Sequence, residues 1–214
     1  RFYEYPRFTY PWHFHNEYEI IYVEKGEGDC LVGDSIIPYL EGDLILFGSE
    51  LPHSMQSPPD SGEESDDGEK SELKVKGVNI QFEKDFMHYS ISQYSQFIPI
   101  RNLLEDACRG IKFTVTRSGK IIKLLKQIPS AKGADQIILL LSLLQMMATN
   151  NHRKYLTTSH YTPSPSIMRN ERMEKVIAYL NKHYTESIGL DEIASYTAMN
   201  PTAFCRYFKE NTGK

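Results

Sequence analysis

Three histidines and a glutamate in the first quarter of the chain have side chains suited to binding chemistry. The segment 12–19 reads WHFHNEYE and carries His13, His15 and Glu19, and His53 follows after Leu51-Pro52. If segment 12–19 lies on one strand, His13, His15 and Glu19 share parity and face the same side. Imidazole and carboxylate groups together are suitable ligands for Fe, Mn, Ni or Zn. The first interpretation is therefore a divalent metal held by His13, His15, Glu19 and His53.

Two other interpretations of these residues remain open. They could line a pocket and hydrogen-bond a small polar effector such as a sugar, with aromatic side chains as stacking surfaces. That effector pocket would comprise Trp12, His13, His15, Glu19, Tyr22, Phe47 and His53, with Tyr39 as a further stacking surface. The histidines could also simply pack the entry to a strand, with His13 near the surface. The nearby carboxylates Glu17 and Glu50 do not single out a general base, so no catalytic residue is predicted.

The elements that position these side chains read as a small β domain over residues 1–85. Short runs of β-branched and aromatic residues are separated by glycine turns, which predicts a barrel or sandwich. The predicted strands are Tyr18–Val23, Cys30–Val32, Ser35–Leu40, Asp43–Phe47 and Leu73–Phe82, with a bulge at Gly77. Residues 57–72 contain seven acids and one lysine and no large apolar side chain. Such a segment predicts a disordered acidic loop between two strands.

The periodicity becomes helical from Phe86 onward. Amphipathic helices are predicted over residues 100–110 and 118–128, and a strongly apolar helix over 134–150. A helix that is apolar nearly all round must be covered, by its own barrel or by a second copy of the chain. Residues 86–150 are therefore predicted to be a helical dimerisation and interdomain region. Residues 151–167 are polar and contain two prolines, which predicts an interdomain linker.

Residues 168–214 have the outline of a helix-turn-helix. A helix ends near His183, a second covers Leu190–Thr197, and a third begins at Asn200-Pro201, where asparagine suits an N-cap and proline the first helical position. Phe204, Tyr207 and Phe208 form its predicted buried face. The residues left outward, and predicted to bind DNA, are Thr202, Cys205, Arg206 and Lys209. Arg206 is the long donor suited to a guanine edge or a phosphate. A three-helix bundle that binds no nucleic acid would share this outline.

The segment 188–214 resembles the first helix-turn-helix of the AraC/XylS family of bacterial transcription regulators. The matching positions are Leu190, Ile193-Ala194, Asn200-Pro201, Phe204, Arg206 and the closing segment 208–213, FKENTG. The resemblance implies that Thr202, Cys205 and Arg206 face the bases. Family members carry two such units joined by a long helix. The chain is therefore expected to be C-terminally truncated, with an incomplete DNA-binding domain.

Residues 8–82 resemble the cupin motif pair. The first motif, H-x-H-x3-E-x6-G, is satisfied by His13, His15, Glu19 and Gly26. The second is satisfied at Gly42 and His53, although Gly48 and Glu50 replace its proline and glycine. Since AraC-type regulators commonly carry an N-terminal cupin sensor, the two resemblances agree. The expected fold class is α+β, a cupin-like β-barrel with flanking helices followed by an all-α helix-turn-helix unit.

These resemblances imply a ligand-responsive, sequence-specific DNA-binding transcription regulator rather than an enzyme. The expected partners are promoter DNA, a small-molecule effector and a second copy in a homodimer, with RNA polymerase as a further candidate. No cofactor is required, although a divalent metal could occupy the barrel. The alternative is a cupin metalloenzyme, a dioxygenase or isomerase using the four ligands, which would leave the C-terminal unit without a purpose.

Composition limits the setting in which such a protein would act. The net charge of -4 argues against non-specific nucleic-acid binding by the whole chain. The stretch richest in apolar residues, 137–147, is too short to cross a membrane, so no membrane partner is expected. Three widely spaced cysteines without a CxxC motif favour a reducing cytoplasm.

Overall fold

A computed structural model describes residues 1–58, 75–115, 119–162, 171–183 and 187–212. Most of the predicted acidic loop therefore lies outside the described residues, as do residues 163–167 of the predicted linker. The strands are β1 (Phe2–Tyr5), β2 (Tyr18–Lys25), β3 (Gly28–Val32), β4 (Ser35–Tyr39), β5 (Asp43–Phe47), β6 (His53–Gln56), β7 (Val75–Phe82), β8 (Ile111–Thr114) and β9 (Arg153–Tyr155). The helices are α1 (His88–Gln93), α2 (Ile98–Asp106), α3 (Gly119–Gln127), α4 (Ala134–Ala148), α5 (Glu171–His183), α6 (Leu190–Tyr196) and α7 (Pro201–Thr212).

The strands form two antiparallel sheets with a shared core. The larger sheet has the order β1-β7-β2-β5-β8-β9, and the smaller has the order β4-β3-β6. Because side chains alternate along a strand, Ile21 and Phe47 of the larger sheet point to one face and pack with Cys30 and Met55 of the smaller sheet. The predicted α+β class, with a barrel-like β domain and flanking helices, is confirmed.

The other face of the larger sheet is covered by helices. Ile20 and Leu46 pack there against α2, α3 and α4 in a second core cluster. Every residue of β5 is buried, which explains the apolar run from Leu44 to Phe47. The apolar helix α4 is thus covered in part by its own domain, yet Ile137 and Ile138 remain 45% and 58% exposed.

Two strands lie where the sequence predicts a helical region and a linker. β8 falls inside residues 86–150, and β9 falls inside residues 151–167. β8 pairs with β5 on one side and β9 on the other, so the sheet continues beyond residue 85. All three residues of β9 are exposed, so this edge strand carries no apolar alternation that a sequence pattern could detect. The β domain extends at least to Leu156, which is buried.

The irregularity predicted at Gly77 lies on the neighbouring strand. Val23 pairs with Gly77 and Lys25 pairs with Lys76, so the extra residue is Glu24 in β2. A Cβ at position 77 would lie 1.9 Å from the carbonyl oxygen of Tyr22. Glycine is therefore needed at position 77 because the two strands approach closely opposite the bulge.

The C-terminal helices form a separate small core. Met173 and Val176 of α5 pack with Ile193 and Ala194 of α6 and with Phe204 of α7. The predicted cap is confirmed, because the backbone N–H of Ala203 donates to Oδ1 of Asn200 at 2.8 Å. In the turn before it, Ala198 adopts a left-handed backbone with φ of 56°. Among the described residues, the longest apolar helices fall short of what a membrane crossing requires.

Candidate functional site

The four predicted ligands converge at one end of the β domain. His13, His15, Glu19 and His53 each offer one ligand atom, and these atoms lie within 4.8 Å of one another. The elements that carry these residues differ from the prediction, because His13 and His15 precede β2 and do not share a strand with Glu19. His13 instead forms a bridge with His53, in which each backbone N–H donates to the other residue's carbonyl, at 3.0 and 2.9 Å.

Each imidazole is oriented by a backbone carbonyl. Nδ1 of His13 lies 2.8 Å from the carbonyl oxygen of Pro11. Nδ1 of His15 lies 3.1 Å from the carbonyl of Glu17, and Nδ1 of His53 lies 2.7 Å from that of Leu51. A carbonyl only accepts, so each Nδ1 carries a proton. In the neutral ring, each Nε2 then presents a lone pair.

Glu19 is the centre of the cluster and is 4% exposed. Its Oε2 lies 3.0 Å from Nε2 of His15 and 2.9 Å from Nε2 of His53. Its Oε1 accepts from Nδ2 of Asn79 at 2.5 Å and from Nε2 of Gln81 at 3.3 Å. Burial alone would raise the pKa of Glu19, but the hydrogen bonds to His15 and His53 outweigh it and hold that pKa well below its usual range. The carboxylate therefore stays ionised.

The contacts between Glu19 and the two imidazoles require a positive species. A lone pair on Nε2 and a carboxylate oxygen repel unless a proton or a cation lies between them. The hydrogen bond to Glu19 raises the pKa of His15, which favours a proton there. Burial, and then the nearby His53, lowers the pKa of His13, which favours the neutral form of that ring. Three imidazoles fixed at Nδ1, with one carboxylate, also fit a divalent transition metal.

A cavity with about 500 Å³ of empty space, its open mouth included, adjoins this cluster. One wall is aromatic, and Tyr3 and Tyr5 stack there at 5.9 Å between ring centroids. The hydroxyls of Tyr5 and Tyr10 are 3.4 Å apart. The lining residues are Arg1, Tyr3, Tyr5, Phe8, Tyr10, His13, Glu19, Ile21, His53, Met55, Asn79 and Gln81. The cavity thus combines flat apolar surface with a small set of donors and acceptors, as small-molecule sites do.

The predicted effector pocket is only partly reproduced. His13, Glu19 and His53 line the cavity, whereas Trp12 and His15 are not among its lining residues. Tyr22 belongs to the core beneath the helices, because its position in β2 points away from Glu19 and Ile21. The prediction for Tyr22 is therefore wrong.

Phe47 and Tyr39 support the site from within the core rather than line it. The Phe47 ring stacks on His53 at 4.1 Å and is fully buried. Tyr39 is also fully buried, and its ring meets Phe8 at 5.7 Å.

The sequence prediction missed the aromatic wall and two of the polar residues. The wall comes from β1 and the loop after it, and Asn79 and Gln81 come from β7. A signal was present in the opening sequence RFYEYPRFTY, where tyrosines recur at positions 3, 5 and 10. Asn79 and Gln81 share the parity of Gly77 and face the cavity because β7 pairs directly with β2.

The predicted DNA-binding residues lie on the exposed face of α7. Thr202, Cys205, Arg206 and Lys209 are all exposed, while Phe204 is buried against α5 and α6. The N-terminus of a helix can also attract a phosphate. This face therefore carries donors suited to DNA, and contact with DNA stays a prediction.

Comparisons with known proteins match the N-terminal part of the chain to a family model and most of its length to two sequence relatives. Residues 1–65 match the family model of the AraC-like ligand binding domain. YdeC and YbfI of Bacillus subtilis (strain 168), each named an uncharacterized HTH-type transcriptional regulator, are both 22% identical to this chain over 95% of its length. The chain spans 66% of the length of each of these relatives, slightly less than two thirds.

Two solved structures of regulators show a partial likeness. ToxT from Vibrio cholerae strain SCE256, with an unsaturated fatty acid bound, gives a TM-score of 0.41 at 14% identity, over 98% of this chain and 72% of that one. The AraC-like transcriptional activator CuxR gives 0.38 at 7% identity, over 91% and 61%. The family match and the two sequence relatives confirm the predicted resemblance: residues 1–65 are similar to the AraC-like ligand binding domain, and the chain is similar to HTH-type transcriptional regulators.

Proposed function

We propose that this chain is a ligand-responsive, sequence-specific DNA-binding transcription regulator. The observation that carries this proposal is the aromatic and polar cavity, which lies largely within the segment that matches a ligand-binding domain. The exposed face of α7 would contact the DNA. The relatives that match 95% of the chain are named as regulators, which supports this function over a cupin metalloenzyme.

The cavity favours a hydroxyl-rich effector such as a sugar. Tyrosine rings offer flat surfaces for the apolar face of a pyranose. Asn79 and Gln81 offer amide donors and acceptors, and Glu19 accepts from hydroxyls. Such an effector would act by favouring one arrangement of the DNA-binding units over another.

Calorimetric titration of the intact protein with a panel of monosaccharides tests the effector class. At least one sugar is expected to bind, and Tyr10→Ala should weaken it about tenfold because a stacking surface is lost. Tyr89→Ala is the matched control, since Tyr89 lies on α1 and is 73% exposed outside the cavity. If none of the sugars binds, sugars are rejected as the effector class. If Tyr10→Ala and Tyr89→Ala lose the same affinity, the cavity is rejected as the binding site.

Fluorescence anisotropy with promoter DNA from upstream of the protein's own gene tests the output. Specific binding should weaken as salt rises from 50 to 200 mM, as expected from phosphate contacts. If Arg206 reads a base, Arg206→Ala should cost about 1–3 kcal/mol at one base pair and relax preference there. Lys120→Ala is the control, since Lys120 is an exposed cation on α3, and it should leave the affinity for promoter DNA unchanged. Equal affinity for promoter and random DNA would rule out the regulator.

We also propose a divalent metal in the cluster, as a second candidate role for the barrel. The specific observation is that three imidazoles are held at Nδ1, that Nε2 of His15 and of His53 meet Glu19, and that all four ligand atoms lie within 4.8 Å of one another. His13, His15, Glu19 and His53 would hold the ion, which would supply a positive charge next to the cavity. Elemental analysis of the purified protein should find close to one metal per chain, and His13→Ala or His53→Ala should remove it. His88→Ala, an exposed histidine on α1, is the control. Metal content near zero, or unchanged by the cluster variants, would reject the proposal.

The finer partner assignments follow the regulator proposal. Helix-turn-helix proteins commonly bind two half-sites as dimers, and the exposed Ile137 and Ile138 on α4 offer an apolar contact for a second copy. Ile138→Lys should then shift the sedimentation of the protein toward a single copy, and an unchanged profile would exclude this face. A regulator of this kind would work in the cytoplasm, with RNA polymerase as a candidate partner at the promoter.

A further inference from the structure

The end of β9 and the residues that follow it are docked onto the β domain by their backbone. The N–H of Leu156 donates to the carbonyl of Gly110 at 3.0 Å, and the N–H of Thr157 donates to that of Arg109 at 3.1 Å. Leu156 is 4% exposed and packs in the core between the two sheets. Residues 155–161 are therefore held in place although they lead along the chain toward the helices of the C-terminal unit. We call residues 155–161 the docked segment.

An aspartate in the turn between β3 and β4 fixes the middle of the docked segment. Oδ1 of Asp34 accepts from the backbone N–H of Thr158 at 3.0 Å, and its Oδ2 accepts from the Thr158 hydroxyl. Burial would raise the pKa of Asp34, but the two hydrogen bonds from Thr158 outweigh it and lower that pKa. From the other side, Nη2 of Arg109 donates to the Thr158 carbonyl at 3.1 Å, and its guanidinium lies 4.4 Å from the ring centroid of Tyr155.

The same turn contacts the segment that carries His53, which lines the cavity. The N–H of Gly33 donates to the carbonyl of Pro52 at 2.9 Å. Pro52 lies between His53 and Leu51, whose carbonyl holds the His53 imidazole. On its other side, Gly33 has no space, since a Cβ there would lie 2.7 Å from side-chain atoms of Thr157 and Tyr161. Residues 51–53 and the docked segment therefore both touch the same two-residue turn.

We infer that the Gly33-Asp34 turn is an intramolecular clasp that couples the cavity to the C-terminal helices. A ligand that contacts His53 and moves residues 51–53 would move Gly33 with them. Asp34 would then hold or release Thr158, which changes how freely the C-terminal helices are placed. The clasp rests on the proposed function only in treating those helices as the output. Such coupling requires an element with two arrangements that both sites bias, and the docked or released segment is that element.

Amide hydrogen exchange of the intact protein, followed by mass spectrometry, tests whether the clasp exists. Asp34→Ala removes two hydrogen bonds to a charged group, so exchange in the docked segment should become about tenfold faster or more. Thr158→Val removes only the hydroxyl contact and should give a smaller increase. Asp29→Ala is the matched control, because Asp29 is an exposed acid on β3. Peptides from β2 and β5 report whether each variant is folded.

Substitutions of His53 and of Tyr10, which both line the cavity, test whether the docked segment is coupled to it. His53→Ala frees the Leu51 carbonyl and should speed exchange in the docked segment, with β2 and β5 unchanged. If His53→Ala disturbs β2 and β5, His53→Gln provides the milder change, because its amide can still donate to Glu19 while the Leu51 carbonyl is freed. Tyr10→Ala alters the cavity outside residues 51–53 and should leave the docked segment at its original rate.

The outcomes separate the clasp from the proposed function, because exchange is measured without DNA or effector. Unchanged exchange after Asp34→Ala would overturn the clasp. Unchanged exchange after the His53 substitutions, or equal acceleration by Tyr10→Ala, would overturn its coupling to the cavity. Neither result bears on DNA binding, and failure to bind promoter DNA would reject the regulator while leaving the exchange results intact.

Discussion

Glu19 is a buried, ionised carboxylate in the β domain. It receives contacts from His15 and His53 at one oxygen and from Asn79 and Gln81 at the other. A buried carboxylate is tolerated only when such partners replace the water that it has lost. The same partners hold together the loop before β2, the start of β6 and the centre of β7, so this residue links three parts of the fold.

Glu19→Gln should therefore be strongly destabilising. The substitution removes the charge that His15 and His53 face, and it places an amide donor against other donors. Breaking a buried ion pair by removing one partner costs about 3 kcal/mol. Urea denaturation of the intact protein measures the loss, with Glu4→Gln, an exposed residue of β1, as the control. A loss equal to that of Glu4→Gln would show that the contacts of Glu19 carry no net energy.

At the scale of elements, the capped start of α7 fixes the position of the helix and therefore of its exposed face. Asn200 accepts from the N–H of Ala203 and so satisfies a backbone group that the helix itself leaves open. Asn200→Ala should destabilise the C-terminal unit by about 1 kcal/mol. Circular dichroism during heating measures this loss, and Asn200→Ser should recover most of it because serine also caps. Base preference should stay unchanged, since Asn200 positions the helix and the predicted contacts lie at Thr202, Cys205 and Arg206.

The elements that could be predicted are those whose signal is local. β2 to β5 carry β-branched runs closed by glycine turns, and α7 carries its own cap, so each was visible without knowledge of its neighbours. β9 and the aromatic wall of the cavity were not predicted, because their roles depend on partners far along the chain. Arg153-Lys154-Tyr155 becomes a strand only because β8 offers a free edge. The four-residue cluster was foreseen from its motif, whereas Asn79 and Gln81 join it only through the pairing of β7 with β2.

At the scale of the whole molecule, the docking of residues 155–161 should depend on alkaline pH. Burial raises the pKa of Tyr161 to about 12, above its ordinary value of about 10. The docked state therefore holds this proton more tightly than the released state does. The contribution of Tyr161 to docking is complete below pH about 10 and is lost as the pH rises from about 10 to about 12.

Tyrosinate absorbance during an alkaline titration measures this effect. The difference between the wild-type protein and Tyr161→Phe should titrate near the upper end of that window. The urea midpoint of the wild-type protein should also fall more steeply there than that of Tyr161→Phe. A difference curve centred near pH 10 would mean that Tyr161 is not buried by docking.

The order of strands in the larger sheet has a consequence for how the protein is made. β1 is the first strand described and lies at one edge, whereas β9, near residue 155, lies at the other edge. Domains generally fold as units while the ribosome delivers them from the N-terminus. Here the unit is not complete when residue 85, or even residue 150, has left the ribosome, because β9 and the buried Leu156 are still missing. The β domain is therefore completed only by the docked segment, which precedes the C-terminal helices along the chain.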